Sequence, residues 1–274
     1  MLRRTRETRD LRWLSVRAWT NRWYPQGIDT GVLRGRRALA VSWFRQQRDG
    51  THLGSRVVFI DQERARHIDV ALAVAGDDGA LHPAPIHAGG LVWEGDRLFV
   101  AATLGGIWEF DLTAIRRLRR GFLRRSRLVA VRTRVHPVDL RCSFLGRAYD
   151  ADGTPTGRVL IGEYRRDERG RIGEFSLPSS DAETFTAHGA FTPGIARMQG
   201  VVRWGERLFV SQSSMLDPGT LWTGTRDALR PHPQPLPPGC EDLALDPDER
   251  LLWTLGEHPF HRVVRGIPFA RIGL

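Results

Sequence analysis

Gly90-Leu91-Val92-Trp93-Glu94-Gly95-Asp96-Arg97-Leu98-Phe99-Val100 and Gly200-Val201-Val202-Arg203-Trp204-Gly205-Glu206-Arg207-Leu208-Phe209-Val210 align without a gap. A third copy, Leu243-Ala244-Leu245-Asp246-Pro247-Asp248-Glu249-Arg250-Leu251-Leu252-Trp253, keeps the same outline. Each is a short apolar strand, a polar turn with Gly or Asp, and a second apolar strand, which is the signature of a β-hairpin. A hairpin that recurs is a structural unit, so its period decides the fold.

Two weaker copies fill the gaps. Gln26-Gly27-Ile28 leads through a longer loop to Ala38-Leu39-Ala40-Val41-Ser42-Trp43, and Cys142-Ser143-Phe144-Leu145 leads to Val159-Leu160-Ile161-Gly162-Glu163-Tyr164. Third strands are expected at residues 56–61, 106–112, 171–177, 220–223 and 263–269, and fourth strands at 67–74, 128–132 and 183–191. Four antiparallel strands repeated five times, about 54 residues apart, describe an all-β, five-bladed β-propeller. The blades are expected near 24–76, 86–135, 139–191, 197–236 and 240–274, in a single domain covering 1–274. The last blade lacks an outer strand. Residues 11–19 are apolar at alternate positions and are expected to supply it, latching the ring shut. A β-sandwich of this length would not explain a hairpin recurring at this period.

Composition sets outer bounds. All 41 basic residues are arginine, and the net charge is +10. Because arginine replaces lysine throughout and not in one patch, the charge reads as solvated surface more than as a binding footprint. The densest run, Arg116 to Arg127, has Ile115, Leu118 and Phe122 at helical spacing, but it lacks the aromatic interleaving of a nucleic-acid site and the broad apolar face of a membrane helix. It is expected to be a solvated inter-strand loop with a helical turn. Pro231, Pro233, Pro235, Pro237 and Pro238 cannot donate to a strand ladder, so that piece belongs at a sheet edge. Two cysteines make no disulfide framework, and no apolar stretch suits a secretory leader or a membrane span. The expectation is a cytoplasmic protein with neither a specific nucleic-acid partner nor a membrane partner.

Propeller geometry then points to one rim. The innermost strand of each blade starts at one mouth of the central channel, and the loop between second and third strands returns to it. The segments approaching the inner strands are chemically rich: Tyr24-Pro25-Gln26-Gly27, His87-Ala88-Gly89-Gly90, Asp139-Leu140-Arg141-Cys142, Arg197-Met198-Gln199-Gly200 and Gly239-Cys240-Glu241-Asp242. The second-to-third loops add Trp43, Thr103, Glu163, Gln212 and Glu257, with His258 and His261 just beyond. The opposite mouth receives Glu94-Gly95-Asp96, Gly205-Glu206 and Asp246-Pro247-Asp248, which read as plain hairpin turns.

At these landmarks the chain resembles a group of largely uncharacterised bacterial propeller-repeat proteins. They share Pro-Gln-Gly, His-Ala-Gly-Gly, Arg-Met-Gln-Gly and Glu-Asp-Leu, here Pro25 to Gly27, His87 to Gly90, Arg197 to Gly200 and Glu241 to Leu243. The resemblance implies the propeller and carries no function with it.

His87, Glu163 and Glu241 are the candidate catalytic groups: an imidazole titrates near neutrality, and paired carboxyls serve acid–base work. The other reading of the two glutamates is structural, as ion pairs with Arg141 and Arg197. Gln26, Arg141, Arg197, Gln199, Trp43 and Glu257 are the candidate substrate-binding groups. No metal-ligand motif, phosphate loop, nucleophile elbow or dinucleotide fingerprint appears, so no cofactor is expected. Together these residues point to a cofactor-independent enzyme performing hydrolysis, elimination or cyclisation on a small molecule at the channel mouth. The alternative is a non-catalytic propeller, lectin-like or a protein-interaction scaffold. A lectin would repeat its ligand residues blade by blade, and only Gln26-Gly27 and Gln199-Gly200 repeat.

Overall fold

The structure is a computed structural model that describes residues 2–4, 8–12, 20, 22–64, 66–120, 125–180, 183–259 and 261–274. The described residues are all-β: strands throughout and one three-residue 3-10 helix, Phe269–Arg271. In chain order the strands are β1 (Leu2–Arg4), β2 (Arg9–Leu11), β3 (Trp23–Leu33), β4 (Arg36–Gln46), β5 (His52–Asp61), β6 (His67–Ala75), β7 (Leu81–Pro83) and β8 (Leu91–Glu94). They continue with β9 (Arg97–Ala101), β10 (Ile107–Asp111), β11 (Arg116–Arg120), β12 (Arg125–His136), β13 (Phe144–Tyr149), β14 (Pro155–Gly162), β15 (Ile172–Ser176) and β16 (Thr186–Phe191). The remainder are β17 (Met198–Trp204), β18 (Arg207–Gln212), β19 (Gly219–Gly224), β20 (Arg230–Leu236), β21 (Cys240–Asp246), β22 (Leu251–Gly256) and β23 (Val263–Pro268).

Their ladders form successive antiparallel runs: β3-β4-β5-β6, β8-β9-β10-β12, β13-β14-β15-β16, β17-β18-β19-β20 and β21-β22-β23-β2. The repeated hairpins pair as their sequences require, Val92 with Phe99 and Val202 with Phe209. Two parallel pairings then merge runs that the sequence pattern separates. β6 pairs with β12 through the outer edges of the first two runs, and β13 pairs with β17 through the first strands of the third and fourth. The second merger needs Gly146, where an added Cβ would lie 1.8 Å from the Val201 carbonyl oxygen.

Period-two alternation gives every run two apolar faces. On β4, Leu39, Val41 and Trp43 pack with Trp253 and Leu255 of the last run, while Ala38 and Ala40 pack with Leu91, Trp93 and Val100 of the second. Val92 and Phe99 meet Leu145 and Ile161; Phe144 and Leu160 meet Val201 and Val210; Val202 and Phe209 meet Leu243 and Leu252. Each run therefore packs on the next, and the last packs on the first. The first strands touch in the same cyclic order, β3, β8, β13, β17, β21 and back to β3.

The latching strand differs from the expected one. It is β2, at Arg9–Leu11, where Arg9, Asp10 and Leu11 pair with Gly266, Arg265 and Val264. Only Leu11 of the expected strand belongs to it, and residues 13–19 lie outside the described residues. Two contacts select this register: Asp10 accepts two 2.8 Å bonds from Arg265, and Leu11 enters the core between the last run and the first.

Arg116–Arg120 of the basic stretch is a strand and not a helical turn, pairing antiparallel with β12 so that Arg116 stands opposite Val129 and Leu118 opposite Arg127, while Phe122 lies outside the described residues. β12 is already an extended, Val-rich outer strand, and β11 lengthens its ladder. The proline segment forms β20, the outermost strand of its run, paired with β19 on one side. Both cysteines are free and buried, and no described helix is long and apolar enough to cross a membrane.

Candidate functional site

The first strands of three runs share one irregularity at their starts. The pairing register shifts between Pro25 and Ile28 on β3, between Met198 and Gly200 on β17, and between Cys240 and Leu243 on β21. A bulge inserts one residue and re-aims its side chain. Gln26, Gln199 and Glu241 are the residues inside these bulges. The left-handed backbone at Arg197 (φ 56°) and Gly239 (φ 59°) marks the matching position two residues earlier in the last two.

The bulges bring four side chains together. Gln26 donates from Nε2 to Glu257 Oε2 at 2.9 Å, and Gln199 donates from Nε2 to Glu241 Oε1 at 3.1 Å. Glu241 is 1% exposed, and its Oε2 is buried with no hydrogen-bond partner among the described residues. Burial first, then the charges of Glu257 and Asp242, push the Glu241 carboxyl well above the ordinary carboxylate range. Burial also raises Glu257, against the opposing pull of His258, Gln26 and Arg262. Burial thus disfavours the charged form of both carboxyls, and the charge of Glu257 adds to the effect on Glu241.

Buried cations and rings back this pair. Arg262, 3% exposed, donates from Nε to the Glu257 carbonyl at 2.7 Å and from Nη2 to the Thr20 carbonyl at 2.8 Å. Its guanidinium stacks on Tyr24 and Trp43, and burial lowers its pKa to about 10. His258 Nδ1 lies 4.0 Å from Glu257 Oε1. Among the described residues, no group of three or more His, Cys, Asp or Glu could hold a metal ion.

The other predicted residues fall elsewhere or in other roles. Trp43 is inside β4, not in a loop, and is fully buried beneath Arg56 and Arg262. Glu163 is saturated: it accepts from the Arg141 backbone at 3.2 Å, the Arg171 backbone at 3.1 Å and the Arg171 guanidinium at 2.9 Å. Burial opposes its charge, yet Arg171 and the two backbone N–H groups outweigh burial and hold the carboxyl below its ordinary value. Its ion-pair partner is thus Arg171, a residue without any motif to single it out, and neither Arg141 nor Arg197. His87 stacks on Phe44 with centroids 4.2 Å apart, and burial, then His52 and Arg141, lower it to about 4. Burial therefore favours the neutral ring, which packs against Phe44 and His52. Arg141 and Arg197 are exposed.

Sequence reasoning passed over the charged residues farther down the first strands. Asp242 accepts from the Ile28 N–H at 3.1 Å, and Asp29 accepts from the Trp93 N–H at 2.8 Å and Arg147 Nε at 2.9 Å. Arg147 also bonds the Trp93 carbonyl and Glu94, so the Glu94 turn is a brace as well as a hairpin. The available signal was an Asp or Arg interrupting an otherwise apolar inner strand.

No family model matches the chain, and no curated protein does. Among solved structures it is similar to a GH43_1 enzyme from Xanthomonas citri, at 11% identity over 91% of this chain and 88% of that one, with a TM-score of 0.49. It is similar to a glutaminyl cyclase from Myxococcus xanthus at 10% identity over 90% and 94%, TM-score 0.47. It is also similar to the β-propeller domain of Cps50 (Swd1) from Myceliophteria thermophila at 14% identity over 89% and 99%, TM-score 0.39.

Proposed function

We propose that the chain is a five-bladed propeller and a cofactor-independent enzyme that transfers protons on a small molecule at the mouth of its central channel. The cyclic packing of the antiparallel runs supports the blade count. The observation that carries the function is the Glu241–Glu257 pair, in which the buried Glu241 Oε2 has no hydrogen-bond partner among the described residues. Gln199 fixes Glu241 through Oε1 and leaves Oε2 to face a substrate. Gln26 fixes Glu257 in the same way from the neighbouring run. With one proton shared between them, one carboxyl donates to a leaving or carbonyl oxygen while the other withdraws a proton from the attacking or departing group. That division of labour suits hydrolysis, elimination or cyclisation.

His87, Arg141 and Arg197 shape the approach, and Glu163 positions the backbone that carries Arg141. Gln26 and Gln199 differ from a repeated lectin-type ligand set in that each is committed to a different carboxyl. A panel of esters, lactones, glycosides and amides offered to the wild type, Glu241→Gln and Glu257→Gln tests the reading. A positioned acid or base supplies roughly 10²–10⁴ in rate, so each variant is expected to lose turnover on that scale with its fold intact. Turnover unchanged in both variants overturns the assignment. A panel compound bound but left unaltered by the wild type would favour the non-catalytic propeller.

A further inference from the structure

A cavity of about 820 Å³ opens beside the start of the first run, lined by Arg22, Tyr24, Arg45, Gln46, Arg48 and Asp49 among others. It lies within the size range of small-molecule sites, roughly 300–1,000 Å³. Its walls are built from backbone that is already tied down. Gln46 N–H donates to the Arg22 carbonyl at 3.1 Å, Gln47 N–H donates to the Thr51 carbonyl at 2.9 Å, and Arg45 stands opposite Trp23 in the β3–β4 ladder. Tyr24 is held in place by Phe44, stacked at 5.4 Å, and by the Arg262 guanidinium at 5.3 Å.

The charges in this cavity do not balance. The lining residues carry three guanidiniums and one carboxylate, and Asp49 spends Oδ1 on the Thr51 N–H at 2.9 Å. Among the described residues, Arg22, Arg45 and Arg48 form no ion pair, whereas Arg37, Arg97, Arg147, Arg171 and Arg265 each hold a carboxylate within 3 Å. Guanidiniums gathered around a concavity repel one another until an anion enters. Their fixed fork of donors matches a planar or tetrahedral oxyanion, and the Gln46 amide adds a neutral donor.

We propose that this cavity binds an oxyanion, a carboxylate or phosphate carried by a small molecule. The site stands independently of the acid–base reading, because it is read by binding and not by turnover. Calorimetric titration at constant chloride ionic strength uses two probes, inorganic phosphate and succinate, and distinguishes the two kinds of oxyanion. At least one probe binds saturably to the wild type. The Arg45→Gln/Arg48→Gln double variant, both of whose positions are exposed, binds it more weakly by about tenfold or more, the cost of losing charge-assisted bonds. Circular dichroism confirms that the variant is folded. Saturable binding of neither probe, or equal binding by the wild type and the folded double variant, overturns the proposal.

Discussion

The Gln26 side-chain amide donates to the Glu257 carboxylate at 2.9 Å across 231 residues of sequence. This bond joins the first strand of the first run to the loop between β22 and β23 of the last. The elements that close the molecule on itself therefore also fix one member of the carboxyl pair. Asp242 repeats the arrangement one layer down, accepting from Ile28 N–H at 3.1 Å. Stability and site share the same seam.

Glu241 and Glu163 are expected to carry opposite pH signatures. The Glu241 carboxyl is raised in the fold, so its contribution is fully present below its ordinary value of 4.5 and is lost as pH rises through the folded value. Glu241→Gln mimics the protonated form and should raise the melting temperature at pH 8 more than at pH 4. A tenfold change in acidity between folded and unfolded chain corresponds to about 1.4 kcal/mol. In a chain of this size, one kcal/mol moves the midpoint by roughly 2–4 °C. Glu163 is lowered, so its contribution is present above 4.5 and is lost as pH falls. Glu163→Gln should cost melting temperature at pH 7 and little at pH 3. Thermal melts across pH check both signs, and matching trends for the two variants would refute the assignment of roles.

Gly90 is expected to tolerate no side chain. An added Cβ would lie 2.2 Å from the Leu145 backbone nitrogen and 2.8 Å from Phe144 Cα, both on the first strand of the next run. Backbone cannot step aside as a flexible side chain can, so Gly90→Ala should cost more than the roughly 1–3 kcal/mol of ordinary overpacking. Gly105→Ala is the control, since its Cβ would meet nothing closer than the Trp108 indole nitrogen at 3.3 Å. Denaturant midpoints should separate the two widely, and equal midpoints would mean that the first strands sit farther apart than described.

Removing residues 1–12 should unlatch the last run. Without β2, β23 loses its outer partner, the Asp10–Arg265 pair and the buried Leu11, leaving an open strand edge. Leu11→Ala alone should cost about 2–5 kcal/mol, as buried leucines do. A melting temperature unaffected by the truncation would show that the closure rests elsewhere.

The repeat and its consequences were legible from the residues alone. Apolar alternation interrupted by Gly95, Gly205 and Asp246-Pro247 recurs locally, and hairpin pairing depends only on neighbours, so Val92–Phe99 and Val202–Phe209 could be read in advance. Gln26, Gln199, Glu241 and Glu257 were singled out in the sequence, and the fold pairs them as Gln26 with Glu257 and Gln199 with Glu241. Which carboxyls keep a proton depended on the assembled fold. Glu163 and Glu241 are both glutamates next to an apolar strand in sequence, but the Arg171 guanidinium bonds one, whereas among the described residues Gln199 is the side chain that bonds the other. A pKa is set by burial and by charges that arrive from distant segments, and neither is written in the residues adjoining the group. The latch register follows the same logic: alternation permitted residues 11–19, while pairing of Asp10 with Arg265 selected Arg9–Leu11.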